Sequence, residues 1–283
     1  MRSVAFLLLL ACQNEVAVDQ SQNQNPGATG ETTTPAPDQK NSFKISAEEL
    51  ENAVDKSKLV QSPVEMEKVL AKAGISSALS SYIPKDRDLK VVVDDKDQTA
   101  VRTGVVLSDL VLTVKVEKKE NIIKRLDKLS EGSKFLGAGG DVQSVIVDLK
   151  ERITSDAVAG DELLSEFEEL SMVMVPELEY EAGEWVVPLI QAGTWLEGAH
   201  LVSSAMLSEN KTNAADQMFR QRQVVEYFIS YVKREGTSKA PNAVITKLTS
   251  SLEELKVISG KPSLTKEDVQ QIKKLTGDVL SML

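Results

Sequence analysis

Val142-Gln143-Ser144-Val145-Ile146-Val147-Asp148-Leu149-Lys150-Glu151-Arg152-Ile153 decides the fold class. Val142, Val145, Ile146, Leu149 and Ile153 fall at i, i+3, i+4, i+7 and i+11, the spacing that lines up side chains on one face of an α-helix. Ile245, Leu248, Leu252 and Leu255 repeat it, as do Val269, Ile272, Val279 and Leu283, and Met218, Val225, Phe228 and Val232 make another stripe. Stripes of this kind face a protein core.

Helix punctuation surrounds these stripes. Ser46-Ala47-Glu48-Glu49 reads as a capping box, in which the first and last side chains satisfy each other's free backbone donors. Ser62-Pro63-Val64-Glu65 repeats it with Pro at the first helical position, and Gly74 closes that helix. Thr99 to Glu117 is ambiguous, because Leu112, Val114 and Val116 alternate with polar residues as in a strand. Its length and its lack of a turn signal favour a helix. Lys90 to Val93 reads as a short extended piece. Pro176 and Pro188 lie in apolar, helix-like stretches and are expected to end or kink them. Gly137-Ala138-Gly139-Gly140 reads as an interhelical turn. The expectation is an all-α, multi-helix bundle-like domain of nine or ten helices over residues 44–283. Gly104 and Gly193 each open an apolar run, a hint of pseudo-symmetry, and with Gly198 they allow helices to approach closely around the two Trp residues.

Ahead of that domain, the chain opens Met1-Arg2-Ser3 and continues Val4-Ala5-Phe6-Leu7-Leu8-Leu9-Leu10-Ala11-Cys12. A positive charge before eight apolar residues is far short of the roughly 20 that span a bilayer, and reads as an export signal. Leu9-Leu10-Ala11-Cys12 resembles the lipobox of bacterial lipoproteins. The resemblance implies cleavage after Ala11 and acylation of Cys12, the single Cys of the chain. Residues 1–11 are then the signal peptide, and the mature chain is held at a membrane by its lipid anchor. Leu10 is bulkier than the family's usual residue. Gln13, where Asp would mark inner-membrane retention in the enterobacterial type, favours the outer membrane. Residues 12–43 hold this Cys and a Gln-, Asn-, Thr- and Pro-rich linker that cannot bury enough apolar surface to order itself. Random-coil scaling gives the linker a reach of roughly 30 Å.

Composition excludes several classes. The 283 residues carry 33 basic and 43 acidic side chains, a net charge of −10, with one His and 4% aromatics. Such a chain suits neither nucleic-acid binding, which needs a basic face, nor multi-His or Cys-rich metal sites. No cofactor and no metal is expected. The charge is uneven: residues 153–210 contain 12 acidic residues and no Lys or Arg. The simplest reading pairs these acids with cations of other segments. A face for a basic protein partner is the next, and clustered cation binding the third. Glu177 to Glu181 alternates acid with apolar, and Asp94-Asp95-Lys96-Asp97 lacks the Gly and Glu of a calcium loop, so neither is a good metal site.

Two ionisable residues occupy apolar runs, Asp109 in Val105–Val111 and His200 in Trp195–Val202. Buried ionisable groups need partners. Asp109 is placed to orient His200, and Arg102 to pair with Asp109 or Glu197. The chemical version is an acid–base dyad serving Ser203 or Ser204; the plain version is a set of polar contacts that fixes how two helices pack. The Gly-x-Ser-x-Gly elbow of serine hydrolases does not occur in the chain, and Ala138 stands where a phosphate loop starting at Gly132 needs Lys. Arg102-Thr103-Gly104 leading to Asp109, and Trp195-Leu196-Glu197-Gly198, loosely resemble segments of helical bacterial lipoproteins of unknown function. The resemblance covers about two helices and implies no activity. The expected function is that of a non-enzymatic interaction or structural component of the envelope. The alternative is a carrier holding an apolar ligand among Trp185, Trp195, Met172 and Met174.

Overall fold

The computed structural model describes residues 60–283, apart from Asp86, Asp88, Leu89, residues 235–242 and the side chains of Glu168, Glu169, Ser171, Met172, Val173 and Pro176. Cys12, the linker and the Ser46–Glu49 capping box lie outside the described residues. Those described form ten α-helices, one 3-10 turn and no strand. In chain order they are α1 (Pro63–Lys72), the 3-10 turn Leu79–Tyr82, α2 (Lys96–Thr113), α3 (Lys119–Leu136), α4 (Gly140–Thr154) and α5 (Gly160–Ala182). There follow α6 (Val186–Ser208), α7 (Ala215–Phe219), α8 (Arg222–Val232), α9 (Ala243–Ser259) and α10 (Lys266–Leu280).

Local chemistry sets many of the boundaries. Ser62 and Glu65 form the expected capping box, Ser62 N donating to Glu65 at 2.9 Å and Glu65 N to Ser62 Oγ at 3.2 Å. Gly74 ends that helix at φ 81°, and Gly137 ends α3 at φ 114°, both in the left-handed region that favours glycine. Thr265 and Asp268 make a second capping box at the start of α10. Asp95 caps α2 by accepting from Gln98 N at 2.8 Å, so the Asp94–Asp97 run is a helix start. Residues 90–93 form neither helix nor strand, and Thr99 Oγ1 ties Val93 to the start of α2.

The ambiguous stretch is helical as far as Thr113, and Val114–Glu117 turn away beyond the helix end. α2 buries 13 of its 18 residues, and α6 buries 18 of its 23. Helices enclosed on nearly every side carry no single apolar stripe; the alternation of Leu112, Val114 and Val116 runs instead out of α2 into the turn that follows it, where Val116 is exposed. These two helices form the most extensive contact of the fold, with α10 on α6, α3 on α2, and α9 on α8 as the next layers. The stripe residues Val142, Ile146, Leu149 and Ile153 are buried with those of α9 and α10 in one contiguous core.

Three details differ from the expectation. α5 continues through Pro176 to Ala182, so that proline does not end the helix, whereas Pro188 sits in the first turn of α6, where its missing N–H costs nothing. The Met218–Val232 stripe crosses a break at Arg220-Gln221 and belongs to two helices, although all four residues are buried. Gly104 and Gly193 lie inside α2 and α6 and face each other's helix. A Cβ on Gly104 would stand 1.9 Å from Ile190 O, and one on Gly193 would stand 2.0 Å from Val101 O. Gly198 faces the Met66 sulfur, not a Trp. Contacts of Val101 with Gly193, Gly104 with Thr194, and Asp109 with Glu197 advance in the same sense, so α2 and α6 run side by side. Thr194 Oγ1 donates to Gly104 O at 3.0 Å and stitches the contact.

Gly104→Ala or Gly193→Ala must push these backbones apart, and each is expected to destabilise the fold by about 3 kcal/mol or more. Gly140→Ala, with open space around its added methyl, is expected to be neutral or to stabilise by up to about 1 kcal/mol. Chemical denaturation of the three variants checks the contrast.

Candidate functional site

The α2–α6 contact carries the largest group of buried charges near the centre of the fold. α2 brings Asp109 to it and α6 brings Glu197; their side chains are 2% and 0% exposed. The two carboxyls share one guanidinium nitrogen and raise each other's cost of ionisation. Arg87, from the segment before α2, places Nη1 3.3 Å from each Asp109 oxygen and 2.8 Å from Glu197 Oε1. Arg125 of α3 reaches Asp109 Oδ2 at 3.2 Å and holds Glu117 with Nη2 at 2.9 Å and Nε at 3.3 Å. Despite the Arg87 ion pair, neither Glu197 oxygen accepts a well-directed hydrogen bond from the protein. Burial pushes Glu197 up to about 7, the charge of Asp109 adds to the rise, and Arg87 opposes it. Burial also raises Asp109, against the pull of Arg87 and Arg125.

The residues singled out from sequence are only partly brought together. Asp109 and Glu197 meet, but His200 joins neither. One turn beyond Glu197, its Nδ1 faces α10, 3.2 Å from Lys273 O and 3.3 Å from Thr276 Oγ1. Its ring fills the space above Gly277, where a Cβ would stand 2.9 Å from Cε1. Burial lowers the imidazole below its ordinary value. Ser203 and Ser204 donate to the His200 carbonyl at 2.9 and 2.8 Å, not to its ring. The acid–base dyad with a serine therefore does not form in this arrangement. Arg102 lies two helical turns, roughly 10 Å, before Asp109; it donates to Lys90 O rather than pairing with Asp109 or Glu197. The actual cations, Arg87 and Arg125, had no sequence signal of their own: Arg87 sits in a charged, polar stretch, and Arg125 is one of several cations beside the Ile122, Leu126 and Leu129 stripe of α3.

The aromatic residues do not converge either. Trp195 is buried with its ring 5.9 Å from Phe228, and Met174 is buried in the core. Trp185, ten residues before Trp195, is half-buried at the start of α6 under the Arg234 guanidinium, 4.3 Å from its ring centre. Arg234 also pairs with Asp97 at 2.7 Å, so this Trp belongs to a tie between α2, α6 and the end of α8. The Met172 side chain lies outside the described residues.

Asp156, Asp161, Glu162 and Glu166 of the acidic stretch 153–210 find cations outside it, in the way the simplest reading expects. Lys115 pairs with Asp161, and Lys119 with Asp156 at 3.0 Å; Arg152 lies 2.6 Å from Glu166 and 3.9 Å from Glu162. Glu177 accepts from Val142 N at 3.0 Å, at the start of α4. Glu209 accepts from Ser76 N, Ser77 N and Ser77 Oγ at 2.7–2.9 Å and pairs with Lys211. The Ser77 hydroxyl and amide lead in pulling Glu209 down to about 2. Beside this clamp is an open polar cleft of about 750 Å³ lined by Ala73, Lys211, Thr212, Asn213 and Ser263. Among the described residues, no group of three or more His, Cys, Asp or Glu is placed to hold a metal. No described helix is long and apolar enough to cross a membrane.

With this geometry in view, the chain was compared with protein-family models, curated proteins and solved structures, and none of them matches.

Two outcomes test this charge arrangement. Arg87→Met leaves Asp109 with one cation and is expected to cost about 3 kcal/mol, measured by denaturant unfolding at pH 7. Glu209 is stabilised in its ionised form, so its contribution is present above about 4.5 and is lost as pH falls toward 2. Glu209→Gln should therefore unfold more easily than the parent at pH 7, with the gap narrowing as acid titrations of both proteins pass below pH 4.

Proposed function

We propose that this protein is a lipid-anchored component of the bacterial envelope that works through contacts with other envelope molecules rather than by catalysis. One observation carries the reading: the single Cys of the chain stands at the end of Leu9-Leu10-Ala11-Cys12, behind a short apolar stretch and ahead of a polar linker. Acyl chains on Cys12 hold the chain at a membrane, since two or more chains anchor stably where one does so only marginally. Residues 13–43 then let a helical body stand off the headgroups, and Gln13 favours the outer membrane over the inner.

The body's chemistry supports the non-catalytic side of the reading. His200 is engaged with a backbone carbonyl and a threonine of α10, and its neighbouring serines donate to the helix backbone. Trp195 and Met174 are packed as core. For contacts, the acidic segment is the favoured surface. Asp156 and Asp161 are highly exposed, and their lysine partners are themselves half in solvent. Such surface pairs are weak, and a basic partner protein can displace them.

The test is labelling of the full chain with a fatty-acid analogue in a lipoprotein-processing bacterium, beside Cys12→Ser. The expected result is label and membrane fractionation for the parent, and loss of both for Cys12→Ser. An unlabelled parent overturns the anchor. Native mass spectrometry of the detergent-released chain should give the mass of the acylated polypeptide alone. A further mass equal to a lipid or a metal ion overturns the contact reading in favour of a carrier.

A further inference from the structure

The buried group on α2 and α6 has more acid than base. With every member ionised, Asp109, Glu197 and Glu117 set three negative charges against Arg87 and Arg125; with one proton added, the charges balance. Arg125 is committed to Glu117 and one oxygen of Asp109. Arg87 reaches both carboxyls from one nitrogen, yet neither Glu197 oxygen is satisfied by a directed donor. A carboxylate sealed from water with a single, poorly directed ion pair is costly, and two carboxyls that share one guanidinium nitrogen cannot both ionise cheaply. A proton between them removes both costs, because a protonated Glu197 donates to Asp109.

We propose that Asp109 and Glu197 share one proton and form a pH-sensitive latch between α2 and α6, closed when the proton is bound and loosened when it leaves. The latch sits about one and a half turns beyond the point where Gly104 and Gly193 bring the backbones together. That contact has no slack, so an uncompensated charge beside it is relieved by separation of the helices. The pressure falls on Arg87 as well, and hence on the segment that carries it, which is also held by Arg102 on Lys90 O and by Thr99 Oγ1 on Val93.

The groups facing Glu197 set the direction of the response. They are Asp109 from α2, Arg87 from the preceding segment and, through Asp109, Arg125 of α3 with its partner Glu117. On α6 itself His200 stands one turn away, turned to α10, where it feels Lys273 as well as Arg87. α1 contributes only the Met66 thioether at Gly198. α8 sends Tyr227 to Gln191, nearly two turns earlier, where Glu179 of α5 also acts on it. Glu197 holds its proton more tightly in the fold, to about 7, than in the unfolded chain. Its stabilisation is therefore complete below about 4.5, declines as pH rises to 7, and is flat above. His200 works the other way: its lowered value makes protonation unfavourable in the fold, so stability falls as pH drops below 6.5.

The experiment removes that opposing slope. The full chain carrying His200→Gln is melted from pH 5 to pH 8, with and without Glu197→Gln, whose carboxamide imitates the protonated acid. The two should melt together at pH 5 and separate at pH 8, the Glu197→Gln chain melting higher by roughly 5 °C. Amide exchange along residues 101–109, corrected for intrinsic rates, should be faster at pH 8 only where Glu197 is present. A melting difference that does not change with pH overturns the proposal, as does exchange indifferent to Glu197. Should Glu197→Gln fail to fold, infrared spectroscopy of the native chain decides. A protonated-carboxyl band at pH 6 that is gone at pH 8 is the expected result. Its absence at pH 6, or its persistence at pH 8, overturns the latch.

Discussion

Two backbones touch where Gly104 of α2 meets Ile190 of α6 and Gly193 of α6 meets Val101 of α2, and much of the molecule is arranged around that approach. Helices normally keep 8–10 Å between axes because side chains separate them. Glycine at the crossing removes that spacer, and Thr194 then reaches the Gly104 carbonyl across it. Because the two helices run in the same sense, the face that begins at Val101 and Gly193 continues to Asp109 and Glu197. Their shared burial is a consequence of the crossing. The third layer follows: α10 closes on α6 through another absent side chain, Gly277, beneath the His200 ring.

Charge is handled in two different ways in this fold. At the surface, acids of 153–210 meet Lys115, Lys119 and Arg152, or cap backbone donors as Glu177 and Glu209 do. These contacts fasten loops and helix ends, and water shares the work. Inside, Asp109 and Glu197 are held by Arg87 and Arg125 with almost no water, so a single proton changes the net charge of the core. Buried ion groups of this kind are poor sources of stability but strict about geometry, since a missing partner leaves a costly charge behind. That strictness suits a role in fixing how two parallel central helices meet.

Little of this buried group was legible beforehand. Asp109 and His200 stand out because an ionisable residue interrupts an apolar run. That signal identifies burial, but says nothing about partners. His200 and Glu197 are three positions apart on one helix, enough to turn one toward α10 and the other toward α2. Arg87 lies in a polar stretch and Arg125 among the lysines that flank the apolar stripe of α3, places where a cation is ordinary, and only the folded chain carries them to Asp109. Thr99–Glu117 is ambiguous because it runs past the end of its helix: Val114 and Val116 lie in the following turn, where their alternation marks no strand.

The chain's own pattern determined the helical class, the capping box at Ser62, the glycine stop at Gly74, the interhelical turn at Gly137–Gly140, and the core faces of α4, α9 and α10. Each depends on residues within a few positions of one another, so local spacing suffices to read them. Tertiary structure alone decided that α5 runs through Pro176, that Gly104 and Gly193 face each other across a parallel crossing, and that Asp109 takes Arg87, Arg125 and Glu197 as its neighbours. The last two outcomes join residues 16 to about 90 positions apart, and the energy of burying a charge or closing a backbone contact exists only once the helices have met.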